Sequence, residues 1–265
     1  MLNCLVMGCG RSGTSMLAGS LSKAGYFMGK NLLPPNRNNP KGYFETREVE
    51  SLNEELIATV VPARPKFWGR WFFRDRPLST QRWLATVPVE TTVNCSPTFA
   101  SKIQDAVARQ PYCYKDPRFC YTLPAWRPYL KNIGFVCIFR EPATTVKSIM
   151  HVMSDEDYLQ SLSFSKDRAF EVWTLMYRHI LENHQNDGKW LFLHYNQLFE
   201  VSGRQKLEAF LHVSVDDSFP ERRLSRSSSD EGAPETATRV YEQLCELAQC
   251  DRSGNPLRLV YSAHA

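Results

Sequence analysis

A short apolar run over residues 2–7 gives way to Gly8-Cys9-Gly10-Arg11-Ser12-Gly13-Thr14-Ser15. Met16, Leu17, Leu21 and Ala24 then follow at helical spacing up to Gly25. The pattern predicts a strand, a glycine-rich turn and a helix that stops near Gly25. Glycines let backbone N–H groups turn inward on an anion, and a helix N-terminus adds partial positive charge. A phosphate group is the expected occupant of such a turn. The alternative is a turn that merely joins strand to helix.

The spacing of Gly8 and Gly13 matches a nucleotide-binding loop, but Thr14 stands where nucleoside triphosphatases carry Lys. The cation moves to Arg11, inside the loop. A second signal lies at residues 135–142, where an apolar strand ends in Arg140 and Glu141-Pro142 opens a helix that carries Ser148. A triphosphatase needs an acid at such a strand tip to hold magnesium. A cation there suits an anion with no metal beside it, and no metal is expected.

Further short β-like runs at 112–115, 134–139 and 190–194 alternate with helical patterns. Thr46 can cap a helix with Glu48 and Glu50 in its first turn and Val49, Leu52, Leu56 and Val60 on its apolar face. Phe170, Trp173, Tyr177, Ile180 and Leu181 form one stripe of another, and residues 204–211 and 235–248 read as two more. Short strands alternating with helices imply an α/β fold of three layers, a parallel sheet with helices on both faces. With 265 residues, 43% apolar and 23% charged, the composition excludes disorder, collagen and coiled coil. One domain over residues 1–265 is expected. The net charge of +4 implies no polyanion partner. Eight scattered cysteines without a Cys-x-x-Cys pair read as buried, reduced thiols rather than a zinc site. No apolar run approaches the roughly 18 residues of a membrane span, so a mature, soluble, cytoplasmic protein is expected.

The loop Gly10-Arg11-Ser12-Gly13-Thr14-Ser15 resembles the 5′-phosphosulfate loop of sulfotransferases that use 3′-phosphoadenosine 5′-phosphosulfate (PAPS). Arg140 and Ser148 resemble that family's 3′-phosphate site, including the spacing between them. Residues 193–198 resemble its Tyr-Glu-Asp-Leu element, with Asn196 and Gln197 in place of the acids. Asn39-Pro40-Lys41-Gly42-Tyr43-Phe44-Glu45 and Lys115-Asp116-Pro117-Arg118 are similar to segments of bacterial members. The resemblance implies a P-loop-like fold, sulfuryl transfer with PAPS as co-substrate, and a small-molecule, lipid or carbohydrate acceptor. It leaves homo-oligomerisation open and implies no nucleic-acid partner. It puts Gly10, Arg11, Ser12, Gly13, Thr14, Ser15, Arg140 and Ser148 on the nucleotide. Tyr195 would flank the adenine or pack in the core. Arg222, Arg223 and Arg226 would close over the donor or form a solvated turn. Glu45 is the first choice of catalytic base, with Asp116 and His151 behind it. Lys115 would neutralise the bridging sulfate oxygen or pair with a neighbouring acid. Arg118 would clamp the acceptor or form a surface pair, and Tyr43 would line the acceptor site.

Residues 62–82 hold six basic residues and one acid, a local charge of +5, interleaved with Phe67, Trp68, Trp71, Phe72 and Phe73 and closed by Trp83. The expectation is an acceptor-side insertion or lid over residues 62–100, with Trp68 and Trp71 touching the acceptor. An amphipathic helix with aromatics inside is the alternative. Residues 222–234 are expected to be a mobile loop. Two rival functions remain: a small-molecule kinase on the same fold, which would need magnesium, and a non-catalytic nucleotide- or glycan-binding module.

Overall fold

The computed structural model describes residues 1–68, 71–222 and 232–257. Strands β1 (Asn3–Met7), β2 (Cys113–Lys115), β3 (Ile133–Phe139) and β4 (Lys189–His194) form one all-parallel sheet in the order β2-β1-β3-β4. The α-helices of the described residues are α1 (Thr14–Ser20), α2 (Arg47–Ile57), α3 (Pro97–Val107), α4 (Phe119–Trp126), α5 (Pro142–Asp155), α6 (Lys166–Arg178), α7 (Val201–Leu211) and α8 (Glu235–Ala248).

Alternate strand residues face opposite sides of the sheet. Leu5, Met7, Tyr114, Phe135, Cys137, Phe139 and Phe192 enter one core, packed against α2 to α6 and α8. Cys4, Val6, Cys113, Val136, Ile138 and Leu193 enter a second, under α1 and α7. Both faces are covered, so the strands read as continuous apolar runs rather than alternating ones. The three-layer α/β expectation holds. All eight cysteines are free, seven of them buried and Cys95 half-buried. No described helix is long and apolar enough to cross a membrane.

Several local expectations shift. Helix α1 stops at Ser20, not near Gly25. The Ser20 and Ser22 hydroxyls donate to the Met16 and Gly19 carbonyls, and the next backbone bonds tighten to i−3. Such side-chain bonds compete with the helix. Gly25 then turns the chain at φ +88°. Residues 62–83 form no α-helix among those described; turns lead to a 3₁₀ turn at Arg82–Leu84. Arg64 instead donates to the carbonyls of Arg74, Arg76 and Ser161, which folds the segment back on the body. The stripe of α6 is core, and it runs on into a π-helical turn, His179–His184.

Helix α2 is pinned to α4 by a buried polar contact. Thr122 Oγ1 and Trp126 Nε1 each donate to Asn53 Oδ1 at 2.8 Å. Losing such a partner inside a core costs about 1–3 kcal/mol. This matters for function because α2 carries Glu50 and Glu54 toward the ends of the strands.

Gly8 closes β1 at φ +145°, and a Cβ there would lie 2.1 Å from the Ile138 carbonyl oxygen. Gly8→Ala is therefore expected to cost at least about 2 kcal/mol, from strain and from prying β1 off β3. Urea unfolding of the variant measures that loss.

Candidate active site

Each strand delivers one of the expected groups at its carboxyl end. The glycine loop follows β1, Lys115 ends β2, Arg140 follows β3 and Tyr195 follows β4. The chain runs from β1 outward to β2 and returns to β3 on the other side, so the strand order reverses between β1 and β3. Parallel sheets bind ligands in the crevice at such a reversal.

The loop is held from below by Tyr177 of α6. The Cys9 N–H donates to the Tyr177 hydroxyl at 3.1 Å, and that hydroxyl donates to the Ile138 carbonyl at 2.8 Å. Gly13 caps α1 at φ +98°, and a Cβ there would lie 2.5 Å from the Tyr195 ring. A Cβ at Gly10 would lie 2.7 Å from the Trp83 ring. Between them Arg11 adopts φ +71°, a strained value for a residue with a side chain. Its guanidinium donates from Nε to Ser148 Oγ at 3.1 Å and from Nη2 to the Asn38 carbonyl at 3.2 Å.

Two cavities flank this loop. The first, about 170 Å³, is lined by Arg11, Gly13, Thr14, Ser15, Arg140, Ser148, His151, Tyr195, Phe219 and residues 38–42, among others, with Glu221 as its one carboxylate among the described residues. The second, about 430 Å³, is lined by Gly10, Arg11, Thr14, Ser15, Tyr43, Glu45, Glu50, Trp83, Lys115, Arg118 and Tyr158, among others. Arg11, Thr14, Ser15 and Asn39 line both. In the first cavity the Arg140 guanidinium lies over the Tyr195 ring, 4.4 Å from its centroid. Burial lowers Arg11 below the ordinary arginine value, with Tyr43 opposing and Arg140 adding to the effect. Burial lowers Arg140 as well. Two partly desolvated cations on one small cavity favour an anion between them.

The second cavity has a carboxylate floor. Lys115, fully buried, donates to Glu45 and, at 3.3 Å, to Ser15 Oγ, which also accepts from Asn39 Nδ2 at 3.0 Å. One ammonium thus ties Glu45 to the glycine loop. Burial pushes the Glu45 carboxyl up from its ordinary value, with Lys115 opposing and Asp116 reinforcing the rise. Arg118 donates from Nε to Glu54 at 2.8 Å and pairs through Nη1 with Asp116 at 3.1 Å. Burial opposes its charge, but Asp116, Glu54, Glu45 and Glu50 together hold it above the ordinary value. Glu50 stands farther off, 3.8 Å from Arg118. Burial and the three neighbouring acids push it up to about 7, against the pull of Arg118. Among the described residues no group of three or more His, Cys, Asp and Glu is gathered to hold a metal ion.

The expected residues divide clearly. Arg11, Gly13, Thr14, Ser15, Arg140, Ser148 and Tyr195 meet at the first cavity. Gly10, Tyr43, Glu45, Lys115 and Arg118 meet at the second. Ser12 is buried and lines neither of them. Asp116 lies behind Arg118 and reaches neither cavity wall. His151, exposed on α5, stands on the wall of the first cavity, which does not include Glu45. Lys115 makes the acid pair that was one of its two alternatives, and it reaches Ser15 of the loop as well; the Arg118 pair is buried rather than at the surface. Trp68 and Trp71 are exposed and line neither cavity; Trp83 stands at the second in their place. Arg222 pairs with Glu200 at 2.6 Å, whereas Arg223 and Arg226 lie outside the described residues, as do residues 223–231 of the expected mobile loop.

Sequence reasoning gave no site role to Asn39, Glu50, Tyr158 and Phe219, whereas Trp83 closes the aromatic-basic stretch expected on the acceptor side. Only Asn39 had a usable signal, its place in the quoted Asn-Pro-Lys-Gly-Tyr-Phe-Glu segment. Glu50 looked like an ordinary first-turn acid.

Among solved structures the chain is similar to the sulfotransferase domain from the curacin biosynthetic pathway, at 12% identity and a TM-score of 0.52, covering 92% of this chain and 98% of that one. A sulfotransferase from Alicyclobacillus acidocaldarius follows at 13% identity and a TM-score of 0.49, covering 96% of this chain and 98% of the other. No curated protein sequence matches the chain. Residues 4–217 match the model of the sulfotransferase family, a span that takes in the glycine loop, strands β2 to β4, all of β1 but Asn3, the second cavity and all of the first but Phe219 and Glu221. This chain belongs to the sulfotransferase family.

Proposed function

We propose that the chain moves a sulfuryl group from PAPS to a hydroxyl or amine of a small acceptor, by in-line displacement at sulfur. The main support is geometric: two cavities of different chemistry share one wall at Arg11, Thr14, Ser15 and Asn39. In-line transfer needs the two bound molecules to meet, and these four residues belong to both cavities. The first cavity has the residues a nucleotide with a 3′-phosphate needs. Arg140 and Ser148 would grip that phosphate, Tyr195 would flank the base, and the amides of residues 11–15 would hold the 5′-phosphate.

Glu45 would take the proton of the acceptor as its oxygen or nitrogen forms the new bond to sulfur. The bond from sulfur to the 5′-phosphate oxygen breaks in the same step, and the electron pair leaves with the nucleotide. Burial suits Glu45 to this work by raising its proton affinity. As Glu45 becomes neutral, Lys115 can follow the negative charge toward the leaving oxygen, because it already reaches both Glu45 and Ser15. Arg11 would stabilise charge on the departing phosphate from the same wall. The kinase alternative would place an acid at the tip of β3, where Arg140 stands.

Calorimetry tests the donor assignment. The product nucleotide 3′-phosphoadenosine 5′-phosphate should bind more tightly than AMP, and Arg140→Ala should remove that preference by about tenfold or more; equal affinities in the wild type would overturn it. For the base, Glu45→Gln should keep nucleotide binding and cut turnover by roughly 10²–10⁴. Normal turnover in that variant would overturn the assignment of Glu45 as the base. In the wild type kcat/KM should fall on acidification with a midpoint above the ordinary glutamate value of about 4.3. Glu50 has a raised value in the fold, so its contribution to stability is complete below the ordinary carboxylate range and is lost as pH rises through about 7. Glu50→Gln should therefore gain thermal stability relative to the wild type as pH rises from about 5 to about 8. Melting curves at the two pH values read the difference, and a constant gap would contradict it.

A further inference from the structure

The four most exposed large apolar side chains among the described residues are Phe67 (88%), Trp71 (80%), Phe72 (72%) and Trp68 (69%). All four sit on one loop. The Trp71 and Phe72 N–H groups both donate to the Trp68 carbonyl at 3.1 Å, and the Trp68 and Phe72 rings lie 6.3 Å apart. Aromatic side chains bury about 150–250 Å² each when they find a partner. A cluster of them in water marks an interaction site.

The base of this loop is basic. A cavity of about 500 Å³ is lined by Arg64, Lys66, Arg74, Pro65, Leu78 and Ser161, with no carboxylate in its wall. Arg64 donates to the carbonyls of Arg76, Ser161 and Arg74 at 2.8–3.2 Å, and Arg74 donates to the Gln160 carbonyl at 3.1 Å. Arg76 donates to the Ala63 carbonyl at 3.1 Å and lies over Phe73. These acceptors are neutral, and Asp75 offsets only part of the loop's positive charge. Burial, then Arg74, lower Arg64 below its ordinary value, with Asp75 opposing. Like charges held together beside a cavity call for an anion.

We infer that this loop docks on an anionic membrane surface, with Phe67, Trp68, Trp71 and Phe72 entering the interfacial zone and Arg64, Lys66 and Arg74 holding a lipid phosphate. Aromatic rings beside arginine and lysine match the two parts of such an interface, the apolar boundary and the charged headgroups. A strand of nucleic acid would instead call for a basic groove with stacking rings along it; here the rings are exposed on a loop. The segment continues into Thr80 and Trp83 on the wall of the second cavity, so docking would bring that cavity toward the lipid. The surface stands independently of the sulfuryl-transfer proposal.

Co-sedimentation of the full chain with vesicles tests it. Vesicles containing phosphatidylserine should capture the chain at low salt and release it at high salt, whereas phosphatidylcholine alone should capture little. Phe67→Ser with Phe72→Ser, and Lys66→Glu with Arg74→Glu, should each weaken capture by about tenfold or more. Circular dichroism and calorimetry with the product nucleotide in the same variants show that the fold and the donor cavity are intact. No capture by phosphatidylserine vesicles, or equal capture of wild type and both folded variants, would overturn the inference. So would a dimer that dissociates in the phenylalanine variant, or tighter binding to a single-stranded oligonucleotide than to vesicles. Binding of inorganic phosphate that Lys66→Glu with Arg74→Glu abolishes, without vesicle capture, would reduce the cavity to a soluble-anion site and also overturn it.

Discussion

Tyr177 holds the glycine loop and strand β3 together with a single hydroxyl, accepting from the Cys9 N–H and donating to the Ile138 carbonyl. Both bonds are buried, where an unmade bond costs about 1–3 kcal/mol. Gly8 makes the contact possible, because any side chain there would collide with the Ile138 carbonyl. From this clasp the site follows. The loop is aimed by β1, Arg140 by β3, and Tyr195, packed against Gly13, closes the cavity between them. A site assembled on strand ends inherits the rigidity of the sheet.

The second dependence is electrostatic. Glu45, Glu54 and Asp116 are balanced by Lys115, Arg82 and Arg118 in contacts largely shut off from water. Removing one partner of a buried pair leaves an uncompensated charge and costs far more than the pair contributes. Glu50 has only the longer contact to Arg118 and faces the second cavity. Lys115 joins this cluster to Ser15 and hence to the glycine loop. Glu45 on one side and the glycine loop on the other are thus linked through one buried ammonium.

Much of the first cavity was legible because its signals are local. Arg11 lies inside a glycine turn, Arg140 follows an apolar run directly, and Ser148 sits two turns into the helix that run leads to. The second cavity depends on remote segments. The contact of Glu45 with Lys115 joins positions 70 residues apart, so the sequence offered the pair only as one of two alternatives. Helix α4 showed no period because nearly all its residues are buried, which erases the polar face that periodicity needs. Helix α3 had a readable start in Ser96 and Pro97, with the Ser96 hydroxyl accepting from the Phe99 N–H, yet that first turn fell inside the segment 62–100 read as an insertion. The helical alternative for residues 62–83 fails for a different reason. Their arginines bond to backbone carbonyls of distant turns, and no local propensity anticipates that.

The central claim is transfer across a shared wall, and a direct assay of transfer tests it. PAPS carrying radiolabelled sulfur is incubated with the chain, a chelator and pooled alcohols, phenols, sugars and amines. Label should pass to a member of at least one pool. Tight binding of the product nucleotide with no label transferred to any pool would contradict the claim and leave a binding module on the same fold.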